Sequence, residues 1–219
     1  MLKPVCLLKG SRINYDRCME RLAALSKQSI AGLVLFLAGT VALMGIITAE
    51  AYYPTVYSTA TNEISDLGST RPPNPVIYQP SATIFNLTMI TAGILILTGV
   101  YFLFRAGTKK VLLVPLGLFG MGIIGVGLFP GNTTPHAYFA LITFVSGGVS
   151  AVLSAKVVNG PYKFASLLLG TVALVALFLA GVFIPHLGDG GTERWIAYPI
   201  TLWLTGLGGY YLGASTSDR

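Results

Sequence analysis

Few side chains in this chain of 219 residues can move a proton or hold an ion. It has eight carboxylates and two histidines in all. Most of those able to act together fall in three short stretches. TNEISDLGST (61–70) carries Glu63, Ser65 and Asp66. FPGNTTPH (129–136) ends on His136. PHLGDGGTER (185–194) carries His186, Asp189, Glu193 and Arg194. A histidine among carboxylates can bind zinc or act as general acid and base. Glu63, Asp66 and His136 are therefore the candidate catalytic groups. Ser65, Glu193, His186, Asp189 and Arg194 are candidates for holding a substrate or anchoring a loop.

Each has a plainer reading beside it. Glu63 and Asp66 are three apart and share a face of one helical turn. Gly68 can end such a turn. Asn62, Ser65 and Asp66 can equally be spent on capping nearby backbone. His136 can cap a helix or sit in the headgroup layer. The three stretches are far apart in the chain, so spacing alone is not diagnostic. There is no H-E-x-x-H, G-x-S-x-G or phosphate loop. Cys6 and Cys18 lack the histidines of a zinc site. A haem between His136 and His186 is the weaker alternative, because such pairs usually sit within membrane spans. The sequence therefore assigns no metal and no cofactor.

The elements that position these groups are membrane spans. Charged residues make up 10% of the chain and hydrophobic residues 53%, against roughly 25% charged in an average soluble domain. Six apolar runs are long enough to cross a bilayer, at 29–49, 82–104, 111–129, 137–155, 164–184 and 195–214. None contains Asp, Glu, Lys, Arg or His. Lipid requires their backbone groups to bond internally, so they are expected to be helices. The fold expected is all-α: a polytopic six-helix transmembrane bundle over 29–214, with one long outer loop at 50–81.

Charge fixes the expected orientation. If six spans alternate, twelve of the fourteen basic residues fall on one side, from Lys3, Lys9, Arg12, Arg17, Arg21 and Lys27 to Arg219. That side is expected to be cytoplasmic, with both termini inside and the protein multi-pass in the cell membrane. The same distribution explains the net charge of +6 without nucleic acid. Residues 1–28 form a basic leader, amphipathic against anionic lipid or else a free tail. Met19 is an alternative start. Ala49-Glu50-Ala51 resembles a signal-peptide cleavage site, but the apolar run before it is longer than a signal h-region.

Five of the eight acids lie on the side that the bases avoid, together with Arg71 and Arg194. Arg194 also opens a helix, where the dipole disfavours a cation. A carboxylate partner is expected, from Glu63, Asp66 or Asp189. Thr205, Gly209 and Gly213 form a stripe of small residues on the last span. It serves packing within the bundle or, alternatively, a homo-oligomer or a partner subunit.

Asn62-Glu63-Ile64-Ser65-Asp66-Leu67-Gly68 after the first span, Phe129-Pro130-Gly131 with His136, and Gly191-Thr192-Glu193-Arg194 before the last resemble a prokaryotic membrane family catalogued as domain of unknown function number 998. The resemblance covers about 29–214 and implies no activity. It implies that Glu63, Ser65, Asp66, His136, Glu193 and Arg194 belong together. A looser likeness links the chain to membrane hydrolases of the ceramidase type, though it has too few histidines for their zinc site. The function expected is an integral membrane protein whose outward polar site binds or hydrolyses a lipid headgroup or small solute. The alternative is an accessory subunit of a larger membrane complex. A transporter fits less well, since the spans lack ionisable groups.

Overall fold

The computed structural model describes residues 12–54 and 57–214, with side chains over 27–54 and 57–213. Cys6 and the side chains of Cys18 and the rest of the leader before residue 27 lie outside the described residues. All regular structure among those described is helical: α1 (Arg12–Ala51), a short 3₁₀ turn (Ile64–Leu67), α2 (Ser81–Arg105), α3 (Lys110–Leu128), α4 (His136–Ser154), α5 (Pro161–Phe178) and α6 (Ala180–Ala214).

Five helices are long and apolar enough to cross a membrane: Lys27–Ala51 within α1, then Ser81–Arg105, Lys110–Leu128, His136–Ser154 and Pro161–Phe178. At 1.5 Å per residue even α5 reaches about 27 Å, close to the hydrocarbon thickness. The chain is a polytopic helical membrane protein. α1 continues unbroken from Arg12 into its apolar stretch, so no helix break separates residues 12–28 from the first span.

The helices form a closed ring. Each packs on the next in chain order, α6 packs on α1, and α4 touches α6 across the ring. Leu35, Ile96, Leu103, Leu116, Trp203 and Leu207 fill the interior. Leu87, Phe104, Val114, Phe164 and Phe178 stand exposed on the perimeter, as expected where lipid is the solvent. Small residues set the closest approach. A Cβ on Gly32 would stand 2.8 Å from the Gly208 carbonyl, and one on Gly39 would stand 2.2 Å from Thr205 Oγ1. Thr205 is thus packed within the chain, against α1. Cβ atoms on Gly209 or Gly213 would meet nothing within 4 Å.

One boundary differs from the sequence reading. The apolar run 164–184 is not one helix: α5 ends at Phe178 and α6 begins at Ala180. α6 is itself interrupted at Gly188, where φ is 74° and ψ 172°. The short segment before Gly188 and the long helix after it meet at that kink, and the kink receives the first loop.

Candidate functional site

The loop between α1 and α2 is fastened to α6 by Arg194. This guanidinium is buried. Its Nη1 donates to the carbonyls of Thr59 (3.0 Å), Asn62 (2.9 Å) and Gly190 (3.0 Å). Its Nη2 donates to Glu50 Oε1 at 2.6 Å and to the Tyr57 hydroxyl at 2.8 Å. Tyr57 passes the chain on by donating to the Glu63 carbonyl at 2.8 Å. The partner of Arg194 is therefore Glu50, at the end of α1, and not Glu63, Asp66 or Asp189. The expectation failed because the loop reaches Arg194 with carbonyls, leaving charge neutralisation to α1.

Backbone contacts complete the clamp. Gly191 N–H donates to the Ala60 carbonyl at 3.1 Å. A Cβ on Gly190 would stand 2.0 Å from the Asn62 carbonyl. The run Gly188-Asp189-Gly190-Gly191 is thus the surface on which the loop lies.

Beyond the clamp the loop makes its 3₁₀ turn. Asp66 Oδ2 accepts from the Glu63 N–H at 3.0 Å, closing a capping box. Gly68 N–H donates to the Ser65 carbonyl at 3.0 Å. Asp66 is thus engaged in shaping the turn. The turn directs Glu63 and Ser65 differently from Asp66. Glu63 pairs with Arg71, the closest approach being 2.5 Å, and Ser65 Oγ donates to Glu63 Oε2 at 3.3 Å. The Ile64 N–H donates to Glu193 Oε2 from α6.

Two cavities meet beneath this turn. One, of about 70 Å³, lies inside the ring and is mainly apolar, with Ser65, His136 and Glu193 at its loop end. The other is an open cleft of about 570 Å³ between α4 and the α5–α6 junction. Glu63, Arg71, Thr133, His136, Asp189 and Glu193 line its polar part; Leu141, Phe144, Leu177, Ile184 and Ile196 line the rest. His136, buried at the start of α4, shares a 2.7 Å hydrogen bond between its Nδ1 and the Phe129 carbonyl.

Of the residues singled out from the sequence, Glu63, Ser65, His136, Asp189 and Glu193 line this one cleft. Arg194 and Asp66 support it from behind. His186 is apart from the cleft, in an apolar groove with Leu168, Val175 and Trp195. Its separation from His136 follows from the break after Phe178, which carries His186 onto the first segment of α6. Sequence reasoning missed Arg71, Thr133 and Thr192 as cleft residues, and Glu50 and Tyr57 as clamp residues. For Arg71 there was a signal: it is one of only two cations that an alternation of six spans would put on the side the bases avoid. Among the described residues no three His, Cys, Asp or Glu side chains group to hold a metal ion.

The carboxyls under the loop are tuned mainly by burial. Burial raises Glu63, against the pull of Arg71, while Asp66 and Asp189 push in the same direction as burial. Burial pushes Glu193 up to about 8, helped by the Glu63 charge and opposed by the Ile64 N–H and by Arg194. A carboxyl raised on folding binds its proton more tightly in the folded chain. Its stabilising contribution is full below the ordinary value of 4.5 and is lost as the pH rises through about 8. The midpoint of thermal unfolding in detergent is therefore expected to fall between about pH 5 and pH 8. Glu193→Gln, neutral throughout, is expected to flatten that slope; an unchanged slope would assign it to other groups.

A ring of apolar helices with a loop clamped over one end defines an integral, multi-pass membrane protein. More particularly, the chain belongs to the family described as "Protein of unknown function (DUF998)", whose model matches residues 36–210. That match takes in the clamp, the 3₁₀ turn and the cleft. No curated protein and no solved structure matches the chain significantly.

Proposed function

We propose that this protein crosses the cell membrane six times, with α6 from about residue 195 as the last crossing, and holds a lipid-like amphiphile in the cleft between α4 and α5–α6. With the basic side cytoplasmic, the polar mouth faces outward and the ligand comes from the outer leaflet.

The observation that carries this reading is the change of lining along one cleft. Its polar groups lie at the loop and at the start of α4. From His136 to Phe144 the helix descends about 12 Å, and the lining turns apolar along it. A headgroup fits the first part, and the first methylenes of a chain fit the second. A volume of about 570 Å³ lies within the range of roughly 300–1,000 Å³ usual for small-molecule sites. A soluble external solute would leave the apolar wall uncovered. An accessory subunit accounts for the clamp but not for the open cleft beside it. Hydrolysis is a weaker reading, because Asp66 is engaged in capping and Glu63 in an ion pair.

Filling the cleft tests the proposal. Leu141→Trp and Ile184→Trp, both at exposed positions of the lining, place a ring where the chain would lie. Protein purified gently from membrane is expected to carry bound lipid in native mass spectra. The filled variants are expected to lose it by about tenfold or more, the effect of roughly 1.4 kcal/mol, while melting like the wild type. Equal retention in wild type and filled variants would exclude the cleft as the binding site.

A further inference from the structure

We propose that the amphiphile held in this cleft bears a primary amine beside a phosphate, as an aminophospholipid does. This rests on the cleft reading above and is carried by a separate observation, the direction of the hydrogen bonds around the mouth.

The hydroxyls that line the mouth have already given their protons to the protein. Thr133 Oγ1 donates to the Pro130 carbonyl at 2.8 Å, Thr192 Oγ1 to the Gly188 carbonyl at 2.8 Å, and Ser65 Oγ to Glu63 Oε2. Each is left with lone pairs to offer. The Phe129 carbonyl can only accept, so the proton of a neutral His136 ring sits on Nδ1 and Nε2 is an acceptor. Asp189 is exposed on the α6 wall, and no described cation pairs with it within 4.0 Å. Apart from Arg71 and the acid proton of Glu193, the polar side chains of the mouth present acceptors. Its natural complement is a group rich in donors.

An ammonium is that group, and the lining selects its kind. A quaternary ammonium is recognised by cages of aromatic rings. Phe144 is the only Phe, Tyr or Trp lining this cleft. A primary ammonium offers three N–H donors to oxygen and nitrogen acceptors. On the loop wall, Arg71 is largely exposed while paired with Glu63, and its remaining donors suit a phosphate. The ligand thus spans the mouth, phosphate toward Arg71 and amine toward Asp189. A headgroup with phosphate but no cation would meet the Asp189 carboxylate unpaired.

The test is lipid competition in nanodiscs containing equal phosphatidylethanolamine, phosphatidylcholine and phosphatidylglycerol, with bound lipid read by native mass spectrometry. The wild type is expected to enrich phosphatidylethanolamine by about tenfold over each of the others, the value of one charge-assisted hydrogen bond. Asp189→Asn, at an exposed position, is expected to remove most of that preference while leaving the melting temperature unchanged. Equal or greater binding of phosphatidylglycerol or phosphatidylcholine, or a preference untouched by Asp189→Asn, overturns the inference. If lipid is retained without headgroup preference, the cleft reading survives and only the headgroup assignment falls. If the Leu141→Trp variant retains as much of every lipid as the wild type, both fall.

Discussion

Replacing Arg194 with leucine is expected to destabilise the protein by about 3–5 kcal/mol, the usual cost of removing one partner from a buried ion pair. Two losses combine. Glu50, whose side chain is one-fifth exposed, is left without its cation. The carbonyls of Thr59, Asn62 and Gly190 and the Tyr57 hydroxyl lose a shared donor. Neither loss is recovered easily, because α6 and the loop enclose the position. Burial works against the charged guanidinium, but Glu50 and Tyr57 hold it protonated. Arg194→Lys restores a charge near Glu50 but has no planar fork to serve both the carboxylate and the carbonyls. It is expected to fall between the leucine variant and the wild type. A cycle with Glu50→Gln is expected to be non-additive, since both changes break one contact. The measurements are thermal unfolding in detergent and protease cleavage within residues 52–80. A leucine variant that melts with the wild type and keeps its loop protected would show that the clamp carries no stability.

The difference between Arg194 and its neighbours explains what could be read from the chain beforehand. The membrane helices were legible because hydrocarbon tolerates only long, apolar, internally bonded segments, and the runs before α2, α3 and α4 end in charges, prolines or glycines. The break at Phe178 was not, because Leu179, Ala180, Gly181 and Val182 are as apolar as what precedes them. Hydropathy records which solvent a segment prefers, not whether its helix is continuous. The grouping of Glu63, Ser65, His136, Asp189 and Glu193 in one cleft was legible from the sidedness expected of alternating spans. Their pairing was not. Which carboxylate meets Arg194 depends on the path of the loop, and that path is set by glycines whose role appears only when the carbonyls of Ala60 and Asn62 are seen against them. Likewise Asp66 and Glu63 look equivalent on a helical turn. The 3₁₀ turn makes one a backbone acceptor and the other a cleft residue.

Those glycines yield the second large effect. Gly188→Ala is expected to cost more than the 1–3 kcal/mol usual for a strained backbone position, because two penalties fall on one atom. With φ at 74° and ψ at 172°, the residue occupies a region that is essentially glycine's own. The added Cβ would also stand 2.2 Å from the Ala60 carbonyl oxygen, a backbone atom that cannot swing away as a side-chain end can. Relief requires either the kink to open or the loop to lift. Lifting removes the Gly191–Ala60 hydrogen bond and draws Thr59 and Asn62 away from Arg194. Gly181→Ala supplies the control. It lies in the first segment of the same helix, has no positive φ, and a Cβ there would meet nothing within 4 Å. It is expected to be neutral or to stabilise by up to about 1 kcal/mol through helix propensity. Melting temperatures of the two variants separate a general intolerance of α6 to substitution from a specific fit between Gly188 and the loop. Bound lipid measured on the same samples then shows whether the loop must be seated for the cleft to hold its ligand. If both alanines are tolerated alike, the kink is not what seats the loop, and Arg194 alone must do so.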